Sequence, residues 1–413
     1  MTYSTSGLGR IAMVSEHASP LASLGGPDAG GQNVYVAQLA ARLARRGHDV
    51  TVYTRRDRPD VPTLVRTPDG VKVVHVPAGP PTTVPKDRLL AHMPDFGAYL
   101  SRIWGLNRPD VVHAHFWMSG LAALTGAREL RIPVVQTYHA LGTVKKRHQG
   151  AEDTSPPERV RIEARIGRAC ARIVATCADE AAELVAMGVA RHRIDIVPCG
   201  VDTAHFAPVA AAARPASAPR RLLAVGRLVP RKGFDRAIRA LASVPDTELL
   251  VAGGPEADLL FADPEAERLR KTAEEYGVAG RVRLLGCVPH EEMPRLMSGA
   301  DLLLSLPRYE PFGIVPIEAM ACRTPVVATA VGGQLDTVVD GVTGVLVPPV
   351  DGADHDLGEV IRGLLDAPDL LARYGAAGRE RALTHYTWDR VADGVARVYA
   401  GLATAPTLSG AAR

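Results

Sequence analysis

Two carboxylates eight residues apart, Glu310 and Glu318, lie in the stretch of this chain best suited to chemistry, Tyr309–Thr329 (YEPFGIVPIEAMACRTPVVAT). The apolar run Asp301–Leu306 before it, ending at Pro307, reads as a buried strand. A loop with Pro311 and Gly313 follows, then a helix from about Ile314 to Cys322. Pro316 is tolerated in that helix's first turn, where an N–H has no partner to lose. Thr324-Pro325 ends the helix and Val326–Thr329 reads as the next strand. A helix N-terminus just past a strand's carboxyl end offers free N–H groups and the positive end of a dipole, which suits a phosphate. Carboxylates repel phosphate but accept hydrogen bonds from paired sugar hydroxyls, and Glu318, one turn into the helix, is within reach of such a pair. The ligand implied carries both phosphate and sugar.

Other residues point the same way. Arg227 and Lys232, in GRLVPRKGF between a strand and a helix, can neutralise a diphosphate as charge develops on it, and Arg231 adds a third cation. His139 follows a strand in VVQTYHAL. His113 and His115 are spaced i, i+2 at a strand end with no third ligand near in sequence, so no metal site is expected. The glycine-rich Gly25–Tyr35 (GGPDAGGQNVY) lets backbone approach a ligand closely, yet it is not G-x-G-x-x-G. The second strand ends in Thr54-Arg55 rather than an acid, so a dehydrogenase holding a 2′-phosphate through Arg55 is the competing reading of this loop. Arg161, Arg165, Arg168 and Arg172 form one stripe on a helix expected over Pro157–Ala175, a solvated face or a hold on an anionic acceptor through Arg161.

Positioning these groups takes two domains. At 413 residues the chain exceeds one ordinary core. A net charge of +3 gives no electrostatic case for nucleic acid. The opening MTYSTSGLGR lacks a signal peptide's basic and apolar regions, and no apolar run approaches the ~20 residues that span a bilayer, so a cytoplasmic protein without membrane insertion is expected. Five cysteines without C-x-x-C indicate neither zinc nor a disulfide framework. Strands alternate with helices from Arg10 to Pro198, pause at the Pro/Ala-rich APVAAAARPASAP of 207–219, and resume from Arg221, implying two parallel α/β sheets. The expected domains are 1–206 and 220–388 around that linker, with 389–413 as an amphipathic helix and tail.

The paired glutamates in their strand–loop–helix setting, with GGQNVYV and GRLVPRKGF, resemble the retaining GT-B glycosyltransferases of family 4, in particular the group acting on inositol phosphate or making sucrose phosphate. The resemblance covers almost the whole chain and implies two Rossmann-like domains facing across a cleft, with the last helix crossing back to the first domain. It implies that Glu310 faces the donor sugar, that Glu318 binds the ribose, and that the loop amides of Phe312, Gly313, Ile314 and Val315 face the diphosphate with Arg227 and Lys232. By the same resemblance Gly31 lies near the diphosphate, Asn33 near the acceptor and His139 beside the donor sugar. Lys86 matches a lysine that grips the acceptor phosphate, but Phe116 and Ala140 stand where those enzymes carry a tyrosine and a threonine. Phe116 is accordingly expected to offer an apolar wall to a non-phosphorylated, ring-shaped acceptor.

The implied reaction is retaining, metal-free transfer of a hexose from a UDP- or GDP-linked sugar to a small polar acceptor, with no other cofactor. Transfer of N-acetylglucosamine to inositol 3-phosphate is the alternative acceptor reading. A sugar-nucleotide sensor without catalysis, which would not hydrolyse donor, is the alternative of another class. A homodimer is compatible with everything above.

Overall fold

The computed structural model describes residues 9–21, 30–210, 215, 217–349 and 354–403, so the loop at 22–29 and part of the expected linker lie outside the described residues. The chain divides into two compact units, one of Met1–Pro198 with Trp388–Arg413 and one of Cys199–Thr387.

In the first unit the strands are β1 (Arg10–Val14), β2 (Asp49–Arg55), β3 (Leu64–Arg66), β4 (Lys72–Val76), β5 (Val111–His115), β6 (Val134–Thr137), β7 (Arg172–Ala175) and β8 (Ile194–Ile196). They form one sheet in the order β3-β4-β2-β1-β5-β6-β7-β8, parallel except for the β3–β4 edge pair. Helices cover both faces, so the central strands are mostly apolar; β5 is buried at all five positions, its two histidines included. Phe96, Leu100, Trp104 and Trp117 fill the core on one side. The C-terminal helix Trp388–Ala403 packs in this unit, Trp388 edge-on to Tyr35 and Tyr399 hydrogen-bonded to His113.

The second unit holds β9 (Arg220–Val225), β10 (Thr247–Ala252), β11 (Val282–Gly286), β12 (Leu302–Ser305), β13 (Val326–Thr329) and β14 (Gly344–Val347). Its sheet is all parallel, in the order β11-β10-β9-β12-β13-β14. The strand order reverses between β9 and β12 here, and between β1 and β5 in the first unit. Open α/β sheets bind ligands at the carboxyl ends of the strands flanking such a reversal.

The helix expected over Pro157–Ala175 is shorter, Arg159–Ala169, and Arg172 lies in β7. Ala171 N–H donates to the Val134 carbonyl at 2.8 Å, drawing the β-branched stretch that follows into the sheet. The helix Met93–Leu106 was not among the expected elements. Pro94, Gly97 and Gly105 interrupt its pattern, although Met93, Phe96, Leu100 and Trp104 keep helical spacing and are buried. No helix among the described residues is long and apolar enough to cross a membrane.

Candidate active-site residues of each unit

In the second unit, two loops leave the reversal point side by side. Gly226–Gly233 follows β9 and Leu306–Gly313 follows β12, and Arg308 N–H donates to the Arg231 carbonyl at 2.9 Å, tying them together. Gly233 must be glycine: its φ is +70° and a Cβ would stand 2.0 Å from the Leu306 carbonyl oxygen. Lys232 Nζ meets Glu310 Oε2 at 2.5 Å, both side chains largely buried. Burial pushes the Glu310 carboxyl up, but Lys232, Arg231 and the Gly313 N–H outweigh it and hold the group ionised below its ordinary value. The Arg231 guanidinium stacks on Tyr309, 5.2 Å from the ring centre, and its buried Nη1 has no hydrogen-bond partner. Arg227 is exposed.

Gly313, at φ +85°, caps the helix Ile314–Ala321, so the first-turn N–H groups at Ile314 and Val315 have no helical carbonyl to bond, while Phe312 is buried beside Tyr386. Glu318 is half-buried one turn further on and its carboxylate makes no hydrogen bond or ion pair among the described residues; burial pushes its carboxyl up to about 7. Sequence reading passed over Gly332-Gly333-Gln334. Gly332, at φ +50°, lets its chain pass close to Glu310: a Cβ there would stand 2.1 Å from the Glu310 carbonyl oxygen. Buried Gln334 bonds Ser305 at 2.5 Å and Thr329 at 3.1 Å, bracing the ends of β12 and β13. The Gly-Gly pair was the available signal.

In the first unit the reversal point is bounded by Ser15-Glu16-His17 after β1 and by Phe116 after β5. Two side chains there sit on strained backbone. Phe116 has φ +79° and ψ +157°, a region that is nearly glycine-only, and His139, after the neighbouring β6, has φ +61°. Gly31 opens the helix Gly31–Arg45 and is exposed. Asn33 is buried: its Oδ1 accepts from Gly30 N–H at 3.0 Å and its Nδ2 donates to the Ser19 carbonyl at 3.0 Å, so its amide holds the loops together.

The expected apolar wall is not there. Phe116 is only 3% exposed, with the Lys86 ammonium 3.9 Å and the Arg159 carbon 5.1 Å from its ring centre and His17 edge-on at 5.0 Å. The ring is a shelf for cations rather than a face for a ligand. The arginine beside it is Arg159; Arg161 is exposed, one residue pair further round the helix. Arg159 is itself fully engaged, donating to Glu163 at 2.7 Å, to the Ala140 carbonyl at 2.7 Å and to Ser155 at 3.2 Å. Arg55 is buried and committed as well, to the carbonyls of Arg56, Pro80 and Thr82 at 3.0, 2.7 and 2.6 Å, which ties its guanidinium to the chain and argues against the dehydrogenase reading. Its effect is to tether the chain just ahead of Lys86.

His139 Nε2 lies 3.1 Å from His115 Nδ1, and His113 bonds Tyr399 and Thr137 at 2.7 and 2.9 Å. Burial depresses His113 and His139 to about 3, and His115 also lies well below the ordinary value. All three are therefore neutral at pH 7, and His139 can orient or hydrogen-bond but carries no charge. Among the described residues no group of three or more His, Cys, Asp or Glu is arranged to hold a metal ion.

Residues 29–205 match the family model Glycosyltransferase Family 4, and residues 211–381 match Glycosyl transferases group 1. The chain is 40% identical over 406 residues to D-inositol 3-phosphate glycosyltransferase 1 of Catenulispora acidiphila, covering 94% of this chain and 95% of that one. It is 36% identical to the D-inositol 3-phosphate glycosyltransferase of Mycobacterium tuberculosis strain F11, covering 94% and 82%. Among solved structures it is similar to sucrose-phosphate synthase from Thermosynechococcus elongatus, with a TM-score of 0.85, 32% identity, and coverage of 95% and 99%. HepE of Anabaena in complex with UDP-glucose shares the fold at a TM-score of 0.70 and 18% identity, covering 95% and 100%.

Proposed function

The chain belongs to glycosyltransferase family 4 and has the GT-B fold, and from that premise we propose that it moves a hexose, with retention and without a metal, from a UDP- or GDP-linked sugar to a small polar acceptor that bears no phosphate. The use of a nucleoside-diphosphate sugar follows from the family. In this reading Arg227, Lys232 and the N–H groups at Gly313–Val315 take the diphosphate, Glu318 takes the ribose and Glu310 the sugar. Lys232 matters most as the bond breaks, because diphosphate charge grows then. Glu310 holds it ready at 2.5 Å. His139, neutral, orients the sugar. A double displacement needs a carboxylate on the far face of the sugar. Front-face departure and attack, with the leaving phosphate as base, needs none.

The observation that carries the acceptor reading is the compensation of charge around Phe116. Arg159 is neutralised by Glu163, Lys86 rests on the aromatic ring, and neither Phe116 nor Ala140 has a hydroxyl to give a phosphate. A hydrogen bond to a charged group contributes ~1.5–3 kcal/mol, so a phosphate would forgo several such terms here.

The relatives named for inositol 3-phosphate favour a second reading, in which that compound is the acceptor. One experiment separates them: inositol 3-phosphate offered with UDP- and GDP-sugars to wild type and to the Phe116→Tyr, Ala140→Thr double variant, with product read by mass. Transfer appearing only in the double variant is expected. Efficient transfer by the wild type would establish the second reading instead.

A further inference from the structure

Arg231 has no part in the reaction as described. It precedes Lys232 in the loop after β9, and its carbonyl accepts from Arg308 N–H at 2.9 Å, which fixes its backbone beside the loop after β12. The guanidinium lies over Tyr309, 5.2 Å from the ring centre, and its Nη1 is buried without a hydrogen-bond partner. A buried donor on a charged group is costly to leave unpaired, and an aromatic face offsets only part of that cost. Glu310 follows Tyr309 in the chain, and its carboxylate feels the charge of Arg231 as well as that of Lys232.

Two cations thus bear on one largely buried carboxylate, and Lys232 holds it, Nζ to Oε2, at 2.5 Å. The Gly313 N–H donates to the same side chain. The turn at Gly332–Gln334 brings only backbone to this residue, Gly333 N–H donating to the Glu310 carbonyl at 3.1 Å. An ammonium that turns toward a diphosphate gives up part of its hold on the carboxylate, and burial then favours the protonated acid. A protonated Glu310 would lose both its charge and an acceptor for a sugar hydroxyl.

We propose that Arg231 is a positioning residue that takes over Glu310 when Lys232 turns to the diphosphate, so that the carboxylate stays charged and oriented while the lysine serves the leaving group. The proposal rests on the nucleotide-sugar reading and deepens it. The backbones on both sides are tied, Arg231 to Arg308 and Glu310 to Gly333, so the exchange is one of side chains. The division of labour suits the two cations: a planar fork of donors matches a carboxylate, and a compact ammonium on a flexible stem can follow a phosphate.

Two measurements test it. The first needs no ligand: urea unfolding of Arg231→Met, Lys232→Ala and the double variant. Either cation alone can keep Glu310 charged, so the double variant should lose about tenfold more in its folding equilibrium than the two single losses combined. Additive losses would overturn the proposal. The second is calorimetry of UDP and GDP at about pH 7 in buffers of different ionisation enthalpy, which reports the protons taken up on binding. Arg231→Met should take up about one proton more than wild type and bind about tenfold more weakly, because Glu310 loses Lys232 and gains a proton in its place. Arg231→Lys keeps a cation and should lie nearer to wild type in both respects. Equal affinity and equal proton uptake in wild type and Arg231→Met would also overturn the proposal. The donor reading fails separately: a wild type that binds neither nucleotide refutes that reading, and the unfolding cycle still decides whether Arg231 takes over the carboxylate.

Discussion

At the reversal point of the second unit charge is held in reserve, whereas at that of the first it is already spent. Beside the Lys232–Glu310 pair at 2.5 Å, Arg231 has a buried donor without a partner, and the Glu318 carboxylate has no partner among the described residues. On the proposed reading a nucleotide sugar would engage these groups together. In the first unit Arg159 is locked to Glu163, Glu16 to His17 and Ser119, and His113, His115 and His139 are neutral through burial. On the proposed reading the two sheets serve two purposes: binding an anion calls for donors still to be satisfied, and choosing among neutral hydroxyls calls for fixed dipoles.

The sharpest way to break this contrast is to remove one cation from each unit. Arg159→Leu strips a buried carboxylate, Glu163, of its partner and should destabilise the protein by about 3–5 kcal/mol in urea unfolding. Lys232→Ala should lower turnover by about 10²–10³-fold, with a much smaller change in nucleotide affinity. It should also cost some stability because Glu310 loses its partner, though less than Arg159→Leu, since Arg231 and the Gly313 N–H still face that carboxylate. If Arg159→Leu folds as well as wild type, or Lys232→Ala loses only affinity, charge is not divided between the units in this way.

The two sites also differ in how far the sequence discloses them. The second unit's residues come from two short runs, Gly226–Gly233 and Leu306–Glu318, each with its own strand, loop and helix signals, so residue type and spacing suffice. The first unit's cluster draws on positions 16, 17, 86, 116, 139 and 159, brought together only by the sheet. Nothing local marks Glu16 as buried or Arg159 rather than Arg161 as the inward arginine. The stripe 161, 165, 168 has regular spacing because it is the solvent face, and β7 takes Arg172 away from it through a backbone pairing with β6. Phe116 misled for a related reason: an aromatic side chain is a wall only if no cation reaches it first. The alternation of strands and helices was legible throughout, because parallel strands buried on both faces are plain apolar runs.

A smaller effect sharpens the donor side. Glu318→Ala should weaken UDP or GDP binding by about 30–150-fold, or ~2–3 kcal/mol, since two ribose hydroxyls lose a charged acceptor. Glu310→Gln, by contrast, should act mainly on turnover. Wild-type nucleotide affinity in Glu318→Ala, measured by calorimetry, would remove that residue from the ribose site.

The smallest expected effect is also the most direct reading of unspent charge. Glu318 carries a carboxyl raised by burial to about 7 from an ordinary 4.5. Its folded value lies above its unfolded one, so the folded state holds the proton more tightly. The cost of burying the charge is absent below about pH 4.5 and is complete only as pH rises through about 7. The shift sets an upper limit of about 3 kcal/mol, and water reaching this half-buried side chain should reduce it to the order of 1 kcal/mol. Glu318→Gln should therefore be more stable than wild type at about pH 8, with the gap closing toward about pH 5. Saturating UDP should shrink the gap at pH 8, because the ribose then supplies the partners that the empty protein lacks. A gap independent of pH would mean that Glu318 is already satisfied in the empty protein, and the contrast between the two units would lose its clearest example.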